Sequence, residues 1–498
     1  MSAPTSDLRA IPDLRIRTVN DAPASSDGEY VLYWMIAQRR LRWNFALDHA
    51  LFEARRRGQK LLILEALRCG YPWASDRLHQ FVIDGMAANA RQAAEAGVRY
   101  FAYIEPEVGD GKGLLEALAA RASLVVTDEF PCFFLPRMVE AAGRRLNVRL
   151  DAVDSNGLLP LRAAEKVYKR AVDLRRFLQK TLPPHLLEWP SADPLAKLAD
   201  DSNSLATDLP EDITTRWADW SNRLVAGERP DLATLPIDHH VPPVQEEGGS
   251  EAARARLHDF LELDLPRYQD GRLDLENPST SRLSPYLHFG HISAHEIFAE
   301  LIEQESWQPD QLGEMVRGQR EGWWGMGENA EAFLDELITW RELGYNNCHQ
   351  LDDYDQFTSL PEWAQRSLHE HLSDERSYVY DLETFERAET HDELWNAAQR
   401  ELVRDGRIHN YLRMLWGKKI LEWSATPQDA LDVMIELNNK YAVDGRNPNS
   451  YSGIFWVLGR HDRAWGPERP IFGKVRFMSS DSARRKLKLG RYLERYSA

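Results

Sequence analysis

Residues 411–423 read YLRMLWGKKILEW; after Pro427 come ALDVMIELNNKY at 430–441 and DGRNPNSYSG at 444–453. The first two blocks carry apolar residues at helical spacing, and the proline and the turn-rich third block interrupt them, so the stretch predicts two helices and a loop. Trp416 and Trp423 are seven residues apart and share a face of the first helix, roughly 10 Å from each other along an axis that rises about 1.5 Å per residue. Arg413 stands about one turn before Trp416, Asn438 and Asn439 lie near the end of the second helix, and Asp444 opens the loop. Upstream, ARARLHDFLELDL, AHEIFAELIE, EAFLDELITWREL and ELWNAAQREL repeat the helical period. Residues 250–498 are therefore expected to form an all-α domain.

The first third of the chain has another rhythm. Short apolar runs (YVLYWM, KLLILEAL, VRYFAYI, SLVVTDE and VRLDAV) alternate with helical patterns near Ala46–Arg57, Asp76–Ala96, Leu114–Ala120 and Leu135–Leu146. That alternation predicts βαβ units and a doubly wound, Rossmann-like parallel sheet over 28–165. No GxGxxG follows the first strand, which argues against a standard dinucleotide site there. Residues 166–249 hold Pro183, Pro184, Pro190, Pro194, Pro210, Pro230, Pro236, Pro242 and Pro243, with Asp200, Asp201, Asp208, Glu211 and Asp212 crowded between them. This segment reads as an interdomain linker with a few helical turns.

At 498 residues two domains are the natural prior. A formal charge of −17 excludes a protein that coats nucleic acid by electrostatics alone. The basic residues are unevenly placed, however: Arg469, Lys474, Arg476, Arg484, Arg485, Lys486, Lys488, Arg491 and Arg495 crowd the C-terminal end, as a solubilising helix or a phosphate-binding surface would require. Cys69, Cys132 and Cys348 are too widely spaced to suggest a metal site or a disulfide framework. No stretch approaches the roughly 18 apolar residues of a membrane span. A soluble, monomeric protein of the reducing cytoplasm, nucleoid-associated if bacterial, is expected.

Several residue groups have both a chemical and a plain reading. TSRLSPYLHFG at 280–290 sets Thr280, Ser281 and Ser284 beside a helix start, where hydroxyls and free N–H groups either grip phosphate or simply cap. Glu336 and Trp340, four apart, share a helix face whose other side is apolar, so the carboxylate is either solvated or part of a site. Asn438 either caps its helix or presents an amide that both donates and accepts to a ligand. An Arg413–Asp444 pair, if buried, is costly unless a bound group needs the fixed charge.

The words LWGKKILEW, LNNKY followed by DGRNPN, GRHDRAW and ERPIFGKVRFM, with STSRLSPYLHFGHIS at 279–293, FLDELITWREL at 333–343 and YVLYWMIAQRR at 30–40, occur in one order over nearly the whole chain. In this the sequence resembles the photolyase/cryptochrome family, and within it the class II cyclobutane pyrimidine dimer photolyases. The resemblance implies light-driven repair of dimer-containing DNA by reduced, non-covalent FAD. It implies that Tyr268 and the segment Thr280, Ser281, Arg282, Leu283 and Ser284 hold the flavin phosphates, that Asn438 faces the flavin N5, and that Arg413 and Asp444 form an ion pair beside the ring. Glu336 then contacts the dimer, with Trp340 and Trp456 as aromatic walls of its pocket. Arg463, Trp465 and Arg476 fill the gap in the duplex and hold its phosphates. Electrons pass along Trp416 (nearest the flavin), Trp395 (intermediate) and Trp423 (near the surface). No metal is implied, and the N-terminal domain either holds a second, antenna chromophore or none.

Three departures stand out: IAQRR with Ala37 where the family commonly has an acid, Asn447 and Ser450 where aspartate and glycine are common, and the stretch GWWGMGEN containing Trp323 and Trp324. None touches the flavin or dimer positions. The rival reading is a cryptochrome-like photoreceptor that keeps the fold and cofactor without repair; Glu336, Trp340, Trp456 and the basic Arg463–Arg476 segment favour repair. Repair of the (6–4) photoproduct is the weaker alternative, because His288 belongs to the phosphate-side motif.

Overall fold

The strand β2 (Tyr30–Met35) is buried along its whole length, as a continuous apolar run in the middle of a sheet must be. It lies between β3 (Lys60–Leu67) and β5 (Ala122–Asp128) in a sheet completed by β4 (Arg99–Ile104), β6 (Leu150–Val153) and β1 (Ile16–Thr18), in the order β1-β6-β5-β2-β3-β4. Every neighbouring pair is parallel except β1–β6. The computed structural model describes residues 10–186, 188–196 and 208–497; Asp200 and Asp201 of the acidic cluster lie outside them. Helices α1 (Phe45–Arg57), α2 (Asp76–Glu95), α3 (Leu114–Ala119) and α4 (Leu135–Gly143) connect the strands. The expected α/β fold is present, with one correction. The sheet begins at Ile16, upstream of residue 28, because β1 is a three-residue antiparallel edge strand too short for its period to show.

The strand order reverses between β2 and β5, where doubly wound sheets tend to bind phosphates. Here Asp128 occupies the position: its Oδ2 accepts the backbone N–H groups of Ile36, Ala37 and Gln38 at 2.8, 2.8 and 2.9 Å, and Tyr33 donates its hydroxyl to Oδ1 at 2.7 Å. The donors that an anionic ligand would need are taken by a protein carboxylate.

The chain folds into two compact units, Met1–Ala164 with Thr181–His258 and Arg282–Gln311, and Glu165–Lys180 with Asp259–Ser281 and Leu312–Ala498. This differs from the expected boundaries at 165 and 249. Most of the proline-rich connection packs onto the sheet unit: Trp220 N–H donates to Ala102 O at 2.8 Å, Ser221 Oγ accepts from Ala102 N–H at 2.9 Å, and α5 (Ser221–Val225) lies against α2. Backbone hydrogen bonds to a sheet edge leave no periodic signal in sequence. Residues 282–311 also belong to the sheet unit. Gly290 shows the reason locally, since at φ +71° its ideal Cβ would lie 2.1 Å from Ala37 O, a contact that only glycine permits.

The second unit is helical. Glu328–Leu334 runs through a π-helical stretch, Asp335–Trp340, into Arg341–Gln350; together they form α6. Beyond it come α7 (Glu393–Asp405), α8 (Asn410–Trp423), α9 (Pro427–Tyr441), α10 (Pro448–Val457), α11 (Ser480–Lys486) and α12 (Gly490–Arg495). The central helix α8 packs against α7, α9 and α10. No helix among the described residues is long and apolar enough to cross a membrane, and they hold no cluster of metal-ligating side chains.

Candidate active site in the helical unit

Asp392 caps α7, its carboxylate accepting from the N–H groups of Leu394 and Trp395 at 3.0 and 3.3 Å, and so fixes Trp395 in the first turn. The Trp395 ring reaches α8, donating through Nε1 to Trp416 O at 3.0 Å and lying parallel to the Trp416 ring (centroids 6.5 Å, 4° between planes). The Trp423 ring also meets Trp395, edge-on at 6.0 Å and 68°. The order Trp416, Trp395, Trp423 is thus a chain of ring contacts in which α7 supplies the middle member. Trp423 is not at the surface, being only 3 % exposed. The aromatic series continues through Tyr380 and His391, whose rings lie 5.9 and 4.8 Å from Trp423, to Tyr378, which stacks on His391 at 3.7 Å and is 46 % exposed.

Asn438 stands inside the last turn of α9, which continues to Tyr441 with Ala442 as its C-cap, so the capping reading fails. Its side chain is buried and donates through Nδ2 to Asn439 Oδ1 at 3.2 Å. Asn439 is occupied structurally, accepting Arg446 N–H at 2.9 Å and donating to Tyr451 at 3.3 Å. Arg413 Nη2 lies 3.5 Å from Asp444 Oδ1. The pair is partly exposed rather than buried, at 24 % and 17 % of the two side chains. Asp444 Oδ1 and Ser279 Oγ are buried without a hydrogen-bond partner. A buried oxygen in that state is costly unless something else satisfies it; Asp444 Oδ1 has the Arg413 charge beside it, whereas Ser279 Oγ suits a bound group that offers a hydrogen-bonding atom.

The π-helical stretch of α6 carries Glu336 and Trp340. One wide turn re-aims side chains that an ordinary helix would space differently, and such turns recur at functional sites. The Glu336 side chain is 39 % exposed and its Oε1 accepts from Arg272 Nη1 at 3.2 Å. Burial raises its pKa, which Arg272 partly offsets. Tyr268 is buried against Phe260 and Phe333, with the Arg272 guanidinium 5.9 Å from its ring; burial, with Glu336 nearby, pushes its hydroxyl well up. Trp340 and Trp456 stack on each other at 4.8 Å and 18°, so they make one two-ring wall and not two faces with a gap between them.

The phosphate-side segment is brought together only by sequence. Thr280 and Ser281 belong to the helical unit, Arg282 to Ser284 to the sheet unit. Arg282 takes the left-handed conformation at φ 54°, an unusual state for a non-glycine residue and one associated with ligand loops. Leu283 is 1 % exposed, so its side chain is core and only its backbone is available to a ligand. Ser284 opens a five-residue helix.

Trp465, 38 % exposed, is flanked by Arg463 and Arg476, whose guanidinium carbons lie 5.1 and 5.3 Å from its ring centre. Its backbone N–H donates to Lys474 O at 2.8 Å, and Arg469 and Gly473 pair antiparallel, which folds 465–474 back as a short loop. Trp465 Nε1 donates to Asp462 Oδ1 at 3.0 Å. Among the residues that the sequence reading did not single out, Arg272 was legible, four residues past Tyr268, and so was Gln399, four past Trp395 and hydrogen-bonded to Trp416 Nε1 at 2.9 Å. Tyr378, Tyr380 and His391 carried no signal, because their loops have no period.

No family model matches the chain. Curated relatives do. It is 33 % identical over 489 residues to the deoxyribodipyrimidine photo-lyase of Methanothermobacter thermautotrophicus, covering 97 % of each chain. It is 32 % identical over 470 residues to that of Arabidopsis thaliana, 93 % of this chain and 88 % of the relative, and 28 % identical to that of Potorous tridactylus over 97 % and 84 %. Among solved structures a bacterial class III photolyase from Agrobacterium tumefaciens superposes with a TM-score of 0.61 at 16 % identity, covering 96 % of this chain and 88 % of that one. Similarity of this extent, over a sheet unit and a helical unit carrying a stacked tryptophan chain, means that the chain belongs to the deoxyribodipyrimidine photo-lyase family.

Proposed function

We propose that this protein is a light-driven DNA repair enzyme that splits cyclobutane pyrimidine dimers. The observation that carries this reading is the convergence in one helical unit of the Trp416–Trp395–Trp423 ring contacts with Glu336 and the Trp340–Trp456 wall. A photoreceptor needs only the first of these. Non-covalent FAD fits the unpartnered hydroxyl of Ser279 and the Arg413–Asp444 pair, and Tyr268, Thr280, Ser281, Arg282, Leu283, Ser284, Arg413, Asn438 and Asp444 are the residues that would hold it. When bound, reduced and excited by blue or near-ultraviolet light, FAD supplies the electron that opens the ring and takes it back afterwards.

The chain's own residues do the rest. Trp340 and Trp456 offer an apolar face to a dimer turned out of the duplex, as enzymes acting on bases require. Glu336, its pKa raised by burial, is the carboxyl group that would contact the dimer where negative charge develops. Arg463, Trp465 and Arg476 hold the strand. An antenna pigment, where one is bound, would meet the aromatic ledge of Tyr71, Trp73, Phe133 and Phe134 on the loops after β3 and β5. The words LWGKKILEW and ERPIFGKVRFM favour class II, the enzyme acts as a monomer, and it works in whichever compartment holds the DNA.

The test is to incubate the purified protein with dimer-containing DNA in blue light and in the dark and to follow the base absorbance that returns when the 5,6 double bonds re-form. Recovery in light alone supports repair. No recovery with fully reduced protein would favour the photoreceptor.

A further inference from the structure

Lys418 is 1 % exposed in the middle of α8, two residues beyond Trp416. Burying an ammonium is costly, and an apolar side chain of the same length would ordinarily be the more stable choice. Its Nζ donates to Val457 O, the last carbonyl of α10. The neighbouring carbonyls of Phe455 and Trp456 are taken by the N–H groups of Leu458, Gly459 and Arg460, so Lys418 completes the helix end, where a cation also meets the negative end of the helix dipole. Trp456, one residue before, is half of the stacked wall. The charged groups that face Lys418 are Asp462 and Arg476. Asp462 is the residue that accepts Trp465 Nε1, and Arg476 flanks the same ring.

We propose that Lys418 is a positioning residue for substrate binding: its buried ammonium pins the end of α10, from which the chain runs directly into Asp462 and the loop that presents Trp465 and Arg476 to DNA. The proposal rests on the repair reading for the identity of the ligand, and on contacts alone for the pinning. Burial lowers the Lys418 pKa to about 7, with Asp462 drawing it up and Arg476 pushing it down. A phosphate docked on Arg476 cancels that repulsion and favours the charged form, so duplex binding and protonation reinforce each other.

Three proteins test it: wild type, Lys418→Met and Lys418→Arg, each checked for FAD content. The dissociation constant for a dimer-containing duplex is measured from pH 6 to 8. Wild-type affinity is expected to weaken as the pH rises; Lys418→Met binds about tenfold more weakly at pH 6, the loss of one charge-assisted hydrogen bond, with a flat profile. Lys418→Arg, charged throughout, binds tightly with a flat profile. Hydrogen exchange of the amides from Leu458 to Trp465, measured without DNA, should be faster in Lys418→Met. A Met variant with wild-type affinity, with the wild-type pH profile or with unchanged exchange overturns the proposal. If wild type itself shows no preference for dimer-containing duplex, the repair reading falls and the exchange measurement alone decides the pinning.

Discussion

Trp416 is held by two hydrogen bonds of opposite sense, its Nε1 to Gln399 and its carbonyl from Trp395. Trp416→Phe keeps most of the apolar volume and removes the oxidisable indole. Photoreduction of oxidised FAD should be abolished or strongly slowed, while chemically reduced protein still repairs dimers; a tryptophanyl radical unchanged in transient absorption would mean that the electron travels by another route. The substitution also strands Gln399 Oε1, at a cost of about 1–3 kcal/mol, so Trp416→Phe with Gln399→Leu should recover stability in thermal melts without recovering photoreduction. Glu336→Ala is expected to lower the repair yield per absorbed photon by about fivefold, the worth of one hydrogen bond of roughly 1 kcal/mol, with a smaller change in duplex affinity. Equal losses in yield and affinity would assign Glu336 to binding.

At the level of elements, three devices set the site. The π-helical stretch of α6 aims Glu336 and Trp340, Asp392 aims Trp395, and the folded-back loop 465–474 aims the basic side chains. The loop is anchored from below, Lys474 N–H donating to Ser367 Oγ at 2.8 Å and Ile471 N–H to Asp374 Oδ2 at 2.7 Å. Arg476→Ala should reduce the slope of log affinity against log salt by about 0.9, one phosphate contact. A slope equal to wild type would leave the arginine as packing for Trp465. Helix α9 is closed at its start by a capping box, Thr426 with Asp429. Thr426→Ala is predicted to cost about 1 kcal/mol in denaturant unfolding, leaving flavin binding intact because the cap lies at the far end from Asn438.

Over the whole molecule, burial makes the protein acid-sensitive. His79, His291 and His461 are held neutral, their pKa values lowered by burial to about 4, 3 and 3. At His291 the geometry is explicit: Nδ1 accepts Gly249 N–H at 2.8 Å, and a proton added there would face another proton. Groups whose folded pKa is depressed bind more protons when unfolded, so their stabilising contribution is complete above about pH 6.5 and is lost as the pH falls towards 4. Glu296 acts in the opposite direction, its pKa raised by burial to about 7, so its contribution is present below about 4.5 and fades as the pH rises through 7. Asp84, Glu300, Glu336 and Glu401 are raised by burial as well, but the histidines carry the larger shifts, and the melting temperature should fall between pH 7 and pH 5. A melting temperature that rises on acidification would mean that the raised carboxyls dominate.

The sequence by itself determined the two kinds of architecture and the family, and it named the candidates for the site, because all of these rest on local periodicity and on short words. Continuous apolar strands alternating with amphipathic helices can only bury their faces in a layered sheet, and LNNKY–DGRNPN or SRLSPYLHFG needs no tertiary contact to be read. Tertiary structure decided what depends on residues distant in the chain. It inserted Trp395 of α7 between two tryptophans of α8, buried Trp423 and continued the aromatic series to Tyr378. It stacked Trp340 on Trp456, brought Arg272 to Glu336, and gave Asp128 the backbone donors that a phosphate would otherwise have taken. It also drew the proline-rich connection onto the sheet through backbone hydrogen bonds, which every residue type except proline can donate and which therefore leave no mark on composition.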